Sequence, residues 1–127
     1  MKISEAAKQS GLTNKAIRFY ESMGLVECTR LANGYRDYSD SDIQTMRFIH
    51  RARDLGFSIE ECRYLVCLQQ NSNRASATVK QFAQDHLQDI TQQIEKLQEM
   101  KAILENLISH CPGDDNPQCS IIDELEK

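Results

Sequence analysis

The sequence predicts a mainly α-helical protein with one small β-hairpin, and three features carry that prediction. Two short amphipathic segments, residues 3–10 and 14–23, flank a glycine turn. Asn33 and Gly34 separate two short extended runs, a strong hairpin signal because both residue types tolerate positive φ. From residue 76 to 109 neither Pro nor Gly interrupts the chain, which predicts a single long helix.

The two short segments predict a helix-turn-helix, since they are amphipathic helices joined by a tight turn. Ser4 and Thr13 are their predicted N-caps. The second helix of such a motif places its first residues near base edges in the major groove of DNA. Lys15 and Arg18 lie about one turn apart on it, so both can face DNA. The alternative is that each is only a solvated helix charge.

The hairpin, with strands expected at 26–31 and 35–38, carries arginine and tyrosine side chains beside the helix-turn-helix. Arginine pairs with phosphate, and tyrosine can donate to phosphate or pack on sugar. The hairpin is therefore predicted to be a wing that contacts DNA through Arg36, Tyr35 and Tyr38. The alternative for one of the two tyrosines is a place in the core.

Two further helices are predicted between the hairpin and the long helix. The first begins at Asp40. Ser58 and Glu61 have the spacing of a capping box, which opens the second. Cys62 and Cys67 fall within the apolar pattern of that second helix, and both are predicted to be buried structural thiols.

The long helix has apolar residues spaced by three or four, with a mean near 3.5, the period of a coiled coil. A helix of this length, about 50 Å, leaves such a stripe exposed unless it has a partner. Pairing with a second copy is expected, antiparallel or parallel; the alternative is a helix that covers the chain's own core. The predicted organisation is a DNA-binding part (1–75), a dimerisation helix (76–110) and a C-terminal loop with a short helix (111–127).

Composition and charge narrow the functional classes. The 127 residues have a net charge of −4, which argues against a protein that coats nucleic acid everywhere. Residues 1–75 contain 11 Lys and Arg against 9 Asp and Glu, whereas residues 76–127 contain 4 against 10. The first part is therefore the one expected to meet phosphates. Residues 1–8 lack an apolar secretory core and no apolar run is long enough for a bilayer, so a cytoplasmic location without membrane partners is expected.

Two cysteines, Cys111 and Cys119, bracket seven residues rich in turn formers and acids. The Pro-Gly and Asn-Pro pairs between them cannot continue a helix, so this stretch predicts a compact loop that brings the two sulfurs together. Thiols in the cytoplasm are expected to be reduced, which favours metal binding or redox sensing over structural bridges. A clamp for a soft metal is the interpretation adopted; the alternatives are incidental cysteines or a disulfide. Cys28, in the wing region, is expected to be a bystander.

Several motifs together resemble the MerR family of metal-responsive transcription regulators. They are residues 16–21 (AIRFYE), 24–25 (GL), 33–38 (NGYRDY) and 53–57 (RDLGF). Within that family, the stretch from Cys111 to Cys119 resembles the copper(I)-efflux regulators.

The resemblance implies a homodimer with winged helix-turn-helix domains and an antiparallel coiled coil. It implies binding to double-stranded promoter DNA whose −35 and −10 elements are too far apart. Metal binding then makes the dimer bend and untwist the DNA, so that RNA polymerase uses both elements, which exploits DNA deformability. By matching position, the residues expected to hold DNA are Arg18, Tyr20, Arg36 and Tyr38, with support from Lys15 and Arg53.

The resemblance also bears on the metal. Two thiolates suit a singly charged soft ion, Cu(I) first and Ag(I) or Au(I) also, whereas zinc usually takes four ligands. Zinc and mercury relatives carry a further cysteine at the start of the dimerisation helix, where this chain has Ser76. Two thiolates around one such ion leave a net negative charge, which a partner's helix N-terminus and Lys80 would stabilise. His110 is an alternative third ligand. The alternatives for Ser76 and Lys80 are an N-cap and a solvated charge, and for Ser76 capping and metal selectivity are compatible.

Other functions compete with copper sensing. A zinc or cadmium sensor is disfavoured by the missing cysteine, and a thiol redox switch would use the same two sulfurs. A copper chaperone or buffer that does not bind DNA leaves Arg18 and the wing unexplained. An enzyme is not expected, because the sequence offers no acid pair, nucleophile–base set or phosphate loop in a supporting context.

Overall fold

The computed structural model describes residues 1–27 and 29–127, so Cys28 lies outside the described residues. The chain divides into two compact units, Met1–Val79 and Lys80–Lys127. That boundary falls within the long helix, four residues beyond the predicted limit at residue 75.

The chain is mainly helical, as predicted, with six helices and one two-stranded antiparallel hairpin in its described part. The elements in order are α1 (Ile3–Ser10), α2 (Asn14–Ser22), β1 (Thr29–Arg30), β2 (Arg36–Asp37), α3 (Asp40–Asp54), α4 (Ile59–Gln70), α5 (Ser76–His110) and α6 (Ser120–Glu126).

The first two helices form the predicted helix-turn-helix. Gly11 ends α1 at φ +79°, in the left-handed region that glycine adopts readily, and Thr13 caps α2 by accepting the Ala16 N–H at 3.0 Å. Ile17 packs inward from α2 and is fully buried. The predicted cap of α1 was wrong. Its N-cap position is Lys2, which makes no side-chain capping bond, because the helix begins at Ile3 and already includes Ser4.

The hairpin is confirmed but is shorter than predicted. Each strand has two residues, with Thr29 opposite Asp37 and Arg30 opposite Arg36. The predicted first strand was too long because Val26 is buried in the core before the strand begins.

Helices α3 and α4 pack on one another through apolar side chains. Ser39 and Ser58 each head a complete capping box, of which only the second was predicted from the sequence. Cys62 is fully buried, as expected, and burial raises its pKa. Cys67 is exposed, so its predicted burial was wrong: five residues after Cys62, it faces another side of α4.

A guanidinium closes the C-terminal end of α4. Arg74 Nη1 donates to the carbonyl oxygens of Leu68, Gln69 and Asn71 at 3.5, 3.2 and 3.1 Å. Carbonyl groups in the last turn of a helix have few partners within the helix, and a cation suits the negative end of the helix dipole. The turn between α4 and α5 is thereby fastened to the helix that precedes it.

The second unit consists of most of α5, the loop 111–119 and α6. Leu107 is the one buried residue assigned to α5 in the described chain, and its carbonyl accepts a hydrogen bond from Ser120 Oγ at 3.0 Å. None of the described helices combines the length and apolar character needed to cross a bilayer.

Candidate metal centre and nucleic-acid interface

The loop after α5 brings the two predicted metal ligands together. Cys111 Sγ and Cys119 Sγ lie 3.2 Å apart, and both cysteines are free thiols of intermediate exposure. The sequence predicted this approach from turn-forming residues alone. The arrangement offers two soft sulfur donors that solvent can reach.

The backbone of the loop explains the approach. Gly113 turns the chain at φ +66°, a conformation that costs other residues roughly 1–2 kcal/mol. Asp114 Oδ1 accepts a hydrogen bond from the backbone N–H of Asn116 at 2.9 Å, which forms an Asx turn. Ser120 is held against α5 through the Leu107 carbonyl, so Cys119 returns to the helix end from which Cys111 departs.

The two thiols differ in their readiness to ionise. The hydrogen bond between them raises the pKa of Cys111, and the backbone N–H of Gly113 partly opposes that effect. For Cys119, the backbone N–H of Ile122 is the main cause that lowers the pKa, followed by the hydrogen bond from Cys111. The directions of the two pKa shifts favour the thiolate on Cys119 over the thiolate on Cys111.

His110, the alternative third ligand, is turned toward its own helix. Its Nδ1 lies 2.8 Å from the carbonyl oxygen of Asn106 and 3.2 Å from Ser109 Oγ. Across the described chain, no group of three or more His, Cys, Asp and Glu side chains is arranged to hold a metal ion.

Ser76 and Lys80, predicted to support the metal site, are exposed residues at the start of α5. Helix α5 has 35 residues and is about 52 Å long, so it separates these residues from Cys111 of the same chain. They can approach a cysteine pair only if a second copy supplies them.

The residues predicted to face DNA fall into two groups. Lys15 and Arg18 are exposed on α2, as direct contact requires. Tyr20 and Tyr38 are buried, with 8% and 1% of their surface exposed, because they pack in the core of the first unit. Their placement departs from the expected direct contact, and Tyr35, which is 65% exposed, is the wing tyrosine that solvent reaches.

A carboxylate that the sequence analysis did not single out holds the wing to α2. Glu21 accepts Arg36 Nε at 3.1 Å through Oε1 and 2.9 Å through Oε2, and it accepts the Tyr38 hydroxyl at 3.2 Å. The sequence did offer a signal for this role. Glu21 lies in the last turn of α2, where a negative charge interacts unfavourably with the helix dipole and therefore calls for a partner.

A basic cleft lies between the N-terminal residues, α2 and the wing. Its volume is about 340 Å³. It is lined by three basic side chains, those of Lys2, Arg18 and Arg36. Ser4 and Tyr35 also line it. A concave surface with this charge suits a phosphate of a nucleic-acid backbone.

Arg53, the remaining predicted DNA contact, closes the turn after α3. Its Nη1 donates to the carbonyl oxygen of Phe57 at 2.8 Å. The residue is exposed, so this bond fixes the side chain without removing it from the surface.

The fold agrees with comparisons to known proteins. Residues 1–66 match the model of the MerR helix-turn-helix family of regulatory proteins, and residues 43–107 match that of the MerR DNA-binding region. The chain belongs to the MerR family. It is a DNA-binding transcription regulator of that family and not an enzyme.

Similar proteins include named transcription regulators and one regulator solved in complex with lead(II). The chain is 47% identical over 125 residues to the regulator HmrR of Rhizobium leguminosarum bv. viciae, covering 98% of this chain and 97% of the relative. It is 44% identical over 126 residues to CueR of Salmonella typhimurium, covering 98% and 91%. The crystal structure of PbrR691 from Ralstonia metallidurans CH34 with lead(II) superposes with a TM-score of 0.87, at 26% identity and 98% coverage of both chains.

The pKa difference between the two loop cysteines predicts unequal reactivity. Only the thiolate attacks iodoacetamide, so a lowered pKa increases the reactive fraction near neutral pH and a raised pKa decreases it. Cys119 is expected to alkylate with a lower midpoint pH than it has in the unfolded chain, and Cys111 with a higher one. Initial rates measured by peptide mass spectrometry at a series of pH values test this. The urea-unfolded protein is the control, in which the two should react alike; equal midpoints in the folded protein would contradict the assignment.

Proposed function

We propose that this protein is a copper(I)-responsive transcription regulator, which also responds to Ag(I) or Au(I). In this proposal the cytoplasmic homodimer binds promoter DNA and activates metal-efflux genes when Cys111 and Cys119 bind the ion. The observation that carries the metal assignment is the 3.2 Å approach of two accessible thiols.

The chemistry of the donor set supports a soft monovalent ion. Thiolates are soft ligands, whereas zinc and other divalent ions usually recruit further nitrogen, sulfur or oxygen donors. Sulfur binds zinc at about 2.3 Å, so two sulfurs on opposite sides of an ion lie up to about 4.6 Å apart. The present separation of 3.2 Å is shorter, and binding in that manner requires the sulfurs to move apart by up to about 1.4 Å.

The dimer is supported by the apolar surface of α5. Its large apolar side chains remain exposed in the single chain, among them Leu87, Ile94, Leu97, Met100 and Leu104. A continuous apolar stripe of this extent is typical of a protein interface. Antiparallel pairing would bring Ser76 and Lys80 of one copy to the cysteine pair of the other, where Lys80 and the start of α5 favour a negatively charged thiolate–metal group.

The DNA mechanism follows from pairing two basic surfaces. The dimer presents two copies of α2 and the wing to a promoter whose elements are too far apart. Metal binding changes how those copies are held, and the DNA is bent and untwisted so that RNA polymerase engages both elements. Part of the free energy of binding offsets the cost of deforming the DNA, so the response is expected to depend on the length of the promoter spacer.

Removing either loop thiol tests the metal assignment. Cys111→Ser and Cys119→Ser are each expected to abolish transcriptional activation by copper while DNA binding in gel-shift assays stays at the wild-type level, because the ligands lie outside the DNA-binding unit. Cys67→Ser is the matched control, since it removes another exposed thiol and should leave the response intact. Copper activation that survives in either loop variant would refute the clamp.

X-ray absorption on the copper-loaded protein tests the ligand number. Two short sulfur neighbours are expected, with no nitrogen neighbour. His110 Nδ1 is bonded to its own helix, so only its Nε2 could add a nitrogen to the shell. The protein with His110→Ala is the control and should give the same spectrum. A four-coordinate shell would instead favour a zinc-type sensor.

A charge on the α5 stripe tests the dimer. Leu97→Glu is expected to give monomers at micromolar concentration and to abolish tight promoter binding, because the carboxylate would be buried at the interface. Gln88→Glu is the control: it lies nine residues away, two and a half turns, on the opposite side of α5. Sedimentation in the presence of reductant measures both, and a stable Leu97→Glu dimer would overturn the pairing.

A second candidate, a thiol redox switch, is favoured by the same sulfur–sulfur approach. Oxidation of the pair to a disulfide needs only a small movement from 3.2 Å toward the bonded distance of about 2.05 Å. The two functions separate in transcription with purified components: an oxidant that activates without metal, while copper does not, would select the redox switch.

A further inference from the structure

Glu21 is an acidic residue at the edge of a surface that is expected to meet DNA. It belongs to the last turn of α2, where its charge opposes the helix dipole. Its side chain is only 16% exposed. Burying a charge in an unfavourable helix position indicates that the carboxylate has partners that offset the cost.

Those partners are the two wing residues that were expected to contact DNA. Arg36 is bonded through Nε and Tyr38 through its hydroxyl, and both reach the same carboxylate. Arg36 is the first residue of β2 and Tyr38 directly follows that strand. Their contacts with Glu21 span 15 and 17 positions of the sequence, respectively. The carboxylate thus joins the recognition helix α2 to the wing.

We propose that Glu21 is a positioning residue for DNA binding: it holds the wing against α2 so that Lys2, Arg18 and Arg36 form one cleft that binds a backbone phosphate. This inference rests on the proposed DNA interface and adds two residues, Glu21 and Lys2, that the sequence analysis did not assign.

The geometry of Arg36 suits this role. Its guanidinium has five N–H donors in a planar fork, and pairing through Nε orients that plane. Its side chain is 32% exposed, so it is shared between the protein interior and the cleft surface. An arginine held in this way loses little additional freedom when it binds phosphate.

The charge of the cleft remains favourable despite the nearby carboxylate. Glu21 does not line the cleft, whereas Lys2, Arg18 and Arg36 do. Lys2, Arg18 and Arg36 bring three positive charges to the cleft against the one negative charge of Glu21, so the cleft stays positive. Ser4 and Tyr35 add hydroxyl donors, and charge-assisted bonds of this kind are the strong ones in phosphate binding.

The salt dependence of promoter binding tests the role of Glu21. Each neutralised phosphate contributes about 0.9 to the slope of log K against log salt concentration. Glu21→Ala is expected to bind the promoter about tenfold more weakly, as for loss of a charged hydrogen bond, and with a slope smaller by about one. Glu21→Gln, which can keep the Tyr38 bond but not the ion pair, should fall between. Glu60→Gln is the control for loss of an exposed acid.

A double-mutant cycle shows whether Glu21 acts through Arg36. If it does, Glu21→Ala combined with Arg36→Ala binds no more weakly than Arg36→Ala alone. Additive losses would overturn the inference, as would a lower melting temperature in Glu21→Ala with unchanged affinity and slope. If Arg36→Ala itself leaves promoter binding unchanged, the proposed DNA interface fails, and the inference fails with it.

Lys2 gives a separate test of the cleft. Lys2→Gln is expected to reduce the slope by about one and to weaken binding to specific and random duplexes alike, because a phosphate contact carries no sequence information. Lys8→Gln, an exposed lysine of α1 outside the cleft, should change the slope less. Equal effects of the two substitutions would mean that Lys2 acts only as part of the overall surface charge. That result would overturn the proposed phosphate contact of Lys2 in the cleft.

Discussion

The feature on which the rest depends is a helix that cannot cover its own apolar face. Helix α5 runs for 35 residues, yet only Leu107 among its described residues is buried. Large side chains such as Leu97, 59% exposed, remain in contact with water in the single chain. Their burial requires a second helix, and the proposed antiparallel pairing would give that requirement a function by bringing each copy's Ser76 and Lys80 to the other's thiols.

The local sequence was sufficient for most of the fold. Glycine turns, the Ser58 capping box, the Asn33-Gly34 pair and the uninterrupted stretch of α5 act within a few residues, so their effects can be inferred without tertiary contacts. The approach of Cys111 and Cys119 was predicted for the same reason, since eight positions separate them and the turn chemistry between them is explicit.

What the sequence could not supply were contacts between distant segments. The burial of Tyr38 depends on packing against α2, and its hydroxyl finds Glu21 across 17 positions. An alternating or helical pattern does not distinguish a tyrosine that faces a groove from one that fills the core. Cys67 was misplaced for a related reason: the apolar run in α4 was continuous, but α3 covers only part of its circumference.

The guanidinium cap on α4 has a mechanical consequence. A five-residue connection such as 71–75 would ordinarily act as a swivel, dissipating a rotation of the helix that follows it. Arg74, one residue from the end of that connection, donates to two carbonyls at the end of α4 and to that of Asn71 at the start of the connection. These bonds oppose turning of the connection about the end of α4, so a twist at the first residues of α5 would be transmitted to α4 instead of being absorbed between the two helices.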